Sequence, residues 1–336
     1  MLDRWNFRLV RLLLCTACLV GSVAWSANTE PAADKDKDDR PAVVNSLGMK
    51  LVLIRKGDFQ MGSEVLPSER PPRPARVTKD FFLAIHHVTV GQFRTFVKDA
   101  GYKTEAEKDG KGAEGVDGTG LSIVKKAEFN WKNPSFEQGD DHPVISVSWN
   151  DAVAFCQWLS KKEGKTYRLP TDREFEYAIR AGTTTHWSCG DTPESLKGFA
   201  NCADLALANK RKLDLKKLAE LIDKQSPANS MIANWDDGYA FTSPVGAFKP
   251  NPWGLYDVHG NAWQWCLDLS LSNRPTKDPQ IEPEDFSALA KGTGNRKIRG
   301  GTWWLGPSRC RSANYANRPQ SDSFSYVGFR VARAAD

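Results

Sequence analysis

The stretch RGGTWWLGPSRCRSANYANR, residues 299–318, carries a single thiol, Cys310, among glycine, tryptophan, arginine and small polar residues. A thiolate is a nucleophile and a ligand for soft metals, so Cys310 is the first candidate for chemistry in this chain. The competing reading is packing, in which Cys310 is a half-buried small residue on a strand. Other catalytic arrangements are missing: there is no Gly-x-Ser-x-Gly, no His-Glu-x-x-His and no phosphate loop. Five histidines are scattered, and those of the pair His86-His87 would point to opposite faces of a strand. His259 lies close in sequence to the tryptophan-rich segments and reads as a loop residue. Glu174 and Glu176 fit helix capping and buried pairing better than acid–base work.

The elements that must position these residues follow from local pattern. Met49–Ile54 and Phe81–Ile85 read as strands, and Gly57–Gly62 as a turn and a short strand. Three helices are announced by capping boxes: Thr89 with Gln92, Ser148 with Asp151, and Thr171 with Glu174. Residues 209–224 form a lysine-rich amphipathic segment, with Leu213, Leu215, Leu218, Leu221 and Ile222 facing inward. Residues 103–140 are rich in glycine and charge and poorly periodic. From Ser243 onward, glycine and tryptophan punctuate short strands and long loops. Twelve tryptophans in 336 residues argue for a loop-rich fold pinned by aromatic side chains.

The N-terminus is a targeting segment. Arg4, Arg8 and Arg11 precede the apolar run Leu12 to Val23, and Ala24 and Ser26 supply small residues for cleavage. The chain divides into a signal peptide (1–26), a polar linker (27–42) and one domain (43–335) with a helical insertion at about 205–230. Export to the periplasm or the medium is expected, with an uncleaved N-terminal anchor as the alternative; the mature chain carries no membrane span. Net charge is +5, and about +3 once residues 1–26 are removed, which is mild and diffuse and excludes a nucleic-acid-binding stripe. Cys156, Cys189, Cys202, Cys266 and Cys310 remain after the signal; an odd set without metal spacing is not a disulfide framework.

Five ordered segments carry a family resemblance: NSLGMKLVLIRKGDFQMGS (45–63), HPVISVSWNDAVAFCQWLS (142–160), YRLPTDREFEYAIRAG (167–182), NPWGLYDVHGNAWQWCLD (251–268) and IRGGTWWL with YVGFRVAR (298–333). Together they resemble the formylglycine-generating enzyme, or sulfatase-modifying factor, domain. The resemblance implies an α+β fold of C-type-lectin-like type with little regular secondary structure, structural calcium, and an oxygen- and copper-dependent oxidation. In that reaction a sulfatase cysteine within Cys-x-Pro-x-Arg becomes formylglycine.

Laid on this sequence, the family's calcium loops map to two sets. One comprises Asp257, Gly260, Ala262 and Gln264; the other comprises Asn201, Cys202, Asp237 and Tyr239. Calcium takes such side-chain and backbone oxygens. The copper centre needs two cysteines five residues apart. Its second position falls on Cys310, but its first falls on Leu305, which has no lone pair for a metal. The asparagine expected before Leu-Gly-Phe-Arg is also replaced, by Tyr326.

Trp263 matches a tryptophan that walls the family's cleft, and Thr302 keeps a hydroxyl there. Trp303, Trp304, Arg309, Arg311, Tyr315 and Arg318 have the composition of a recognition surface, with one of the two adjacent tryptophans expected to alternate into the core. The reading is an exported family member that lacks the two-cysteine copper centre and works as a binding or scaffold module. Its partner is a protein, peptide or saccharide, a sulfatase among the candidates. The alternative is an active oxidase using copper and Cys310.

Overall fold

The computed structural model describes residues 40–335, apart from 121, 226–230, 271–279 and 282–290. The expected signal peptide and nearly all of the linker lie outside the described residues. Among the described residues no helix is long and apolar enough to cross a membrane.

The first sheet joins the two ends of the domain. Its five strands run in the order Ala42–Val44, Lys50–Ile54, Phe81–Ala84, Ala332–Ala334 and Tyr167–Arg168, each pair antiparallel. A second sheet of four strands holds both ends of the 299–318 stretch. Its order is Tyr315–Pro319, Asn295–Arg299, Trp263–Leu269 and Val327–Gly328, the last pair being parallel. Trp263 to Leu267 are all buried. A strand buried on both faces cannot alternate polar and apolar residues, which is why Trp-Gln-Trp-Cys-Leu reads as a nearly continuous apolar run.

The three capped helices form as their sequences dictate. Val90–Ala100, Trp149–Glu163 and Asp172–Arg180 each begin with a complete capping box, on Thr89, Ser148 and Thr171. The first two end on Gly101 and Gly164 in the left-handed region. Phe93, Phe96 and Phe155 meet between these two helices, and Phe329 reaches them from beyond the second sheet. The third helix is fastened to the second sheet by buried ion pairs. Asp172 binds Lys297 at 2.7 Å and also Arg299, and Glu176 binds Arg299 at 2.9 Å; within the helix itself Glu176 also pairs with Arg180 at 2.9 Å. Arg168 grips Glu174 through both guanidinium nitrogens at 2.6 Å. Glu174 and Glu176 therefore serve capping and pairing, as their sequence context implied.

Two regions depart from the sequence expectation. The lysine-rich insertion is two helices, Leu205–Lys210 and Leu215–Gln225, with Lys212 at φ 55° in the turn between them. Leu218 and Ile222 are buried, but Leu213, Leu215 and Leu221 are only partly so. The poorly periodic stretch 103–140 contains a hairpin, Ala113–Val116 with Ile123–Lys126.

The Thr171 box caps the helix that carries all five of these ion pairs. Thr171→Ala should lower stability by about 1 kcal/mol, the usual cost of losing an N-cap oxygen, measured as a shift of the urea midpoint at constant slope. No shift would mean that the ion pairs alone fix this helix end.

Candidate functional site

After Arg299 the strand cannot continue, because Gly300 and Gly301 adopt φ of 98° and 82°. The chain turns inward instead, and residues Pro307–Cys310 form a 3-10 turn. Gly301 has a second reason to be glycine. A methyl group there would lie 2.5 Å from Cys310 Sγ and 2.8 Å from its Cα, closer than packing allows. Cys310 is thus not a half-buried strand residue. It is fully buried at the end of a tight turn.

Three loops are stitched together around it by backbone hydrogen bonds. The Asn261 N–H donates to the Asn201 carbonyl at 2.8 Å, and the Trp303 N–H donates to the Asn261 carbonyl at 3.1 Å. The Ala203 N–H donates to the Leu305 carbonyl at 3.0 Å. A side chain on Gly260 would collide with the Asn201 carbonyl, so the His-Gly-Asn-Ala loop lies flat on residues 201–203. His259 closes the arrangement. Its Nε2 accepts from the Ser188 N–H at 3.0 Å, so its Nδ1 donates to the Cys310 carbonyl at 2.8 Å. Burial lowers its pKa to about 4, which keeps it neutral and structural rather than a proton carrier.

The sequence reading assigned Cys202 only a backbone role. In the structure its side chain joins the same buried cluster as Cys310, with Trp187, Ala200, Ala233 and Trp235 around them. The hydrogen bond of Cys310 Sγ goes to the Gly306 carbonyl at 4.0 Å, and the two thiols lie within interaction distance of one another. This contact, burial, and the neighbouring Asp237 and Asp204 carboxylates raise the Cys202 pKa well above its ordinary value, so it is held as a thiol. Nothing in the spacing of residues 202 and 310 announces this meeting.

The expected recognition surface is mostly interior. Trp303 and Trp304 are both buried, because residues 302–305 form a turn and not an alternating strand. The Trp303 indole N–H donates to the Ser325 carbonyl at 3.2 Å, and its ring meets Phe136 and Phe241 edge-on. Trp304 lies 6.2 Å from the ring of Tyr326, whose hydroxyl donates to Glu114 at 3.2 Å. Trp263, Thr302, Leu305 and Tyr326 are also buried. Thr302 Oγ1 is buried without a hydrogen-bond partner.

Arg311 is buried as well, and grips Glu69 through both guanidinium nitrogens at 2.6 and 2.8 Å. Asn314 adds a third bond to Glu69, a residue the sequence gave no reason to place here. Only Arg309, Tyr315 and Arg318 keep partial exposure. Tyr315 donates to the Ser68 carbonyl, and the Arg318 guanidinium lies over Phe324.

The two calcium sets come out differently. In the Asn201 set, Asn201 Oδ1 is buried without a hydrogen-bond partner, and Asp237 is oriented by the Cys202 and Tyr239 N–H groups at 3.1 and 2.8 Å. Asp204, which the sequence reading missed, accepts from the Asp237 N–H at 2.6 Å. Burial first, then the adjacent Asp204 carboxylate, push the Asp237 pKa up to about 8; burial brings Asp204 to about 6. Two crowded carboxylates and an unsatisfied amide oxygen are a donor set that suits a hard cation.

In the Asp257 set, Asp257 Oδ1 is likewise unpartnered, but the other donors are engaged. The Arg330 guanidinium donates to Gln264 Oε1, and His87 Nε2 is 2.9 Å from the Ala262 carbonyl. A cation there would have to displace a buried guanidinium. Among the described residues no three His, Cys, Asp or Glu side chains gather into a metal site by themselves.

The Glu69–Arg311 pair separates a structural arginine from a recognition residue. Burial opposes ionisation of Glu69, but Arg311, Ser63 and Asn314 outweigh it and hold its pKa below the ordinary carboxylate value. Its stabilising contribution is therefore complete above the unfolded-state pKa and is lost as pH falls through the lower folded-state value. Glu69→Gln should cost about 3 kcal/mol at neutral pH by leaving Arg311 buried and unpaired. The difference from the native chain should shrink on acidification below about pH 4.5. Equilibrium urea unfolding at several pH values checks both, and a loss that does not shrink in acid would contradict the pairing.

Comparison with known proteins agrees with this architecture. The sulfatase-modifying factor enzyme 1-like domain matches residues 40–335. A formylglycine-generating enzyme of Thermomonospora curvata is 32% identical over 336 residues, covering 90% of this chain and 98% of the relative. An inactive C-alpha-formylglycine-generating enzyme 2 of Bos taurus is 30% identical over 314 residues, covering 87% and 90%. The solved structure of PvdO from Pseudomonas aeruginosa superposes with a TM-score of 0.64 at 28% identity, covering 88% of this chain and 98% of that one. The mixed α+β domain is thus the C-type-lectin-like fold of the formylglycine-generating enzymes. With the domain matched from end to end, the chain belongs to the sulfatase-modifying factor family.

Proposed function

We propose that this chain is a member of the sulfatase-modifying factor family that does not run the two-cysteine copper oxidation and acts as a binding or scaffold module. The observation that carries the reading is Leu305. It stands five residues before Cys310, buried in the aromatic core, where the chemistry requires a second sulfur. The pair Leu305 and Cys310 therefore does not fit copper. Cys310 is itself fully buried, so a substrate thiol could reach it only through local opening of the turn, which is not the geometry of a working site. A relative at 30% identity bears the name of an inactive enzyme, which is consistent with this reading.

The proposed partner is a protein or peptide, with a sulfatase as the first candidate and a saccharide as the alternative. The exposed parts of Arg309, Tyr315 and Arg318 would supply contact area and directional hydrogen bonds. Export by residues 1–26, with retention as an anchor as the variant, belongs to the same proposal. Structural calcium is proposed at Asn201, the Cys202 carbonyl, Asp237 and the Tyr239 carbonyl, with Asp204 beside them. When bound, the ion would offset the crowded carboxylates and tie residues 201–202 to 237–239.

The oxidase alternative is favoured by one specific observation: the Cys202 thiol beside Cys310 gives the cluster two sulfurs after all. The protein incubated with Cu(I) and a Cys-x-Pro-x-Arg peptide in air should give no aldehyde mass shift. Turnover that disappears in Cys310→Ala would overturn the proposal. Leu305→Cys should bind Cu(I) more tightly than the native chain in a chelator competition; an unchanged affinity would show that residues 305 and 310 do not share a site. Calcium should raise the melting temperature of chelator-treated protein, and Asn201→Ala and Asp237→Ala should abolish that rise. A native chain indifferent to calcium would remove the metal from the account.

A further inference from the structure

We infer that Cys202 and Cys310 form a reversible disulfide, a covalent cross-link between the 201–203 segment and the 306–310 turn. All five cysteines of the described residues are free thiols; Cys202 and Cys310 are the two fully buried in one cluster, where their side chains interact, and the partly buried Cys189 packs against its edge. Cys156 sits with Phe155 and Leu159 on a helix, Cys266 lies on the second sheet within a different cluster, and Cys189 is hydrogen-bonded to Ser195 at 3.7 Å.

The backbone holds the pair in register from both sides. Ala203, next to Cys202, donates to Leu305, and His259 fixes the carbonyl of Cys310 itself. Trp187 braces the turn from outside, its indole N–H donating to the Pro307 carbonyl at 3.2 Å. Gly301 leaves no side chain between Cys310 and its surroundings. Two buried sulfurs packed together on segments tied by backbone hydrogen bonds have only a local adjustment to make in order to bond.

The step balances by exchange with a low-molecular-weight disulfide as oxidant. One cysteine, as thiolate, attacks a sulfur of the small disulfide, forms a mixed disulfide and expels one small thiolate. The second cysteine, deprotonated to solvent, then attacks the protein sulfur of that mixed disulfide and expels the second small thiolate. The protein loses two hydrogens, and the oxidant is reduced to two thiols. Because both cysteines are fully buried, the reaction proceeds through local opening of the 306–310 turn and is slow compared with exchange at exposed thiols. The inference does not depend on whether the chain binds a sulfatase, and it supplies no catalytic role. It gives Cys310 a stable oxidised state in which it is withdrawn from any other chemistry.

The test uses the full chain. Reduced protein is incubated with oxidised glutathione, residual thiols are alkylated in denaturant, and the digest is mapped by mass spectrometry. The expected result is one cross-linked peptide pair containing Cys202 and Cys310, two hydrogens lighter than the reduced peptides and reopened by dithiothreitol. The oxidised protein should also melt higher than the reduced protein, and Cys202→Ala should abolish both the cross-link and the rise. If that variant does not fold, the map of the native chain alone decides. Complete alkylation of both cysteines after oxidation would overturn the inference. So would Cys310 carrying glutathione or bonding to another cysteine.

Discussion

Everything around Cys310 depends on three backbone hydrogen bonds that lay residues 201–203 between two glycine-bearing loops. Asn201 accepts from Asn261, Asn261 accepts from Trp303, and Ala203 donates to Leu305. Such bonds are worth only about 1 kcal/mol each, but buried peptide groups left without them would cost more, so the segments have little freedom to separate. Gly260 and Gly301 are the positions where this closeness forbids a side chain. One constraint thereby accounts for the position of Cys202, the crowding of Asp204 and Asp237, and the depth of the turn that carries Cys310.

The electrostatics follow the same division into satisfied and unsatisfied groups. On the sheet side, Asp172, Glu176, Lys297, Arg299 and Arg180 neutralise one another in the interior. Glu69 and Arg311 do so at the outer edge of the turn. Buried pairs of this kind add little net stability, but removing one partner is costly, so they fix geometry. On the 201–239 side the balance fails, since Asp204 and Asp237 face one another beside an amide oxygen that has no donor. That crowding of two carboxyl groups is what supports the cation proposed there and not at the Gln264 loop, where Arg330 already supplies a positive charge.

Much of the fold was legible because its signals are local. A Thr or Ser followed three residues later by Gln, Asp or Glu marked each main helix, and each box is present. The replacement at position 305 could likewise be read by laying one motif on another. The exposed aromatic face could not, because strand alternation fails once two consecutive glycines with positive φ turn the chain inward, and both tryptophans follow it. Glu69 and the side chain of Cys202 were missed for a different reason. Their partners, Arg311 and Cys310, lie far along the chain, and neither spacing nor composition encodes a contact made only by tertiary packing.

The account rests on a Cys310 that is sealed in the interior rather than poised for a substrate. Native-state alkylation measures this directly, with the labelling of Cys310 followed by peptide mass in folded and denatured protein. The account predicts that a small alkylating reagent leaves Cys310 unmodified in the folded chain under reducing conditions and labels it promptly once the chain is unfolded. Prompt labelling of Cys310 in the folded protein would contradict it, and would return the turn to the role of a working thiol site.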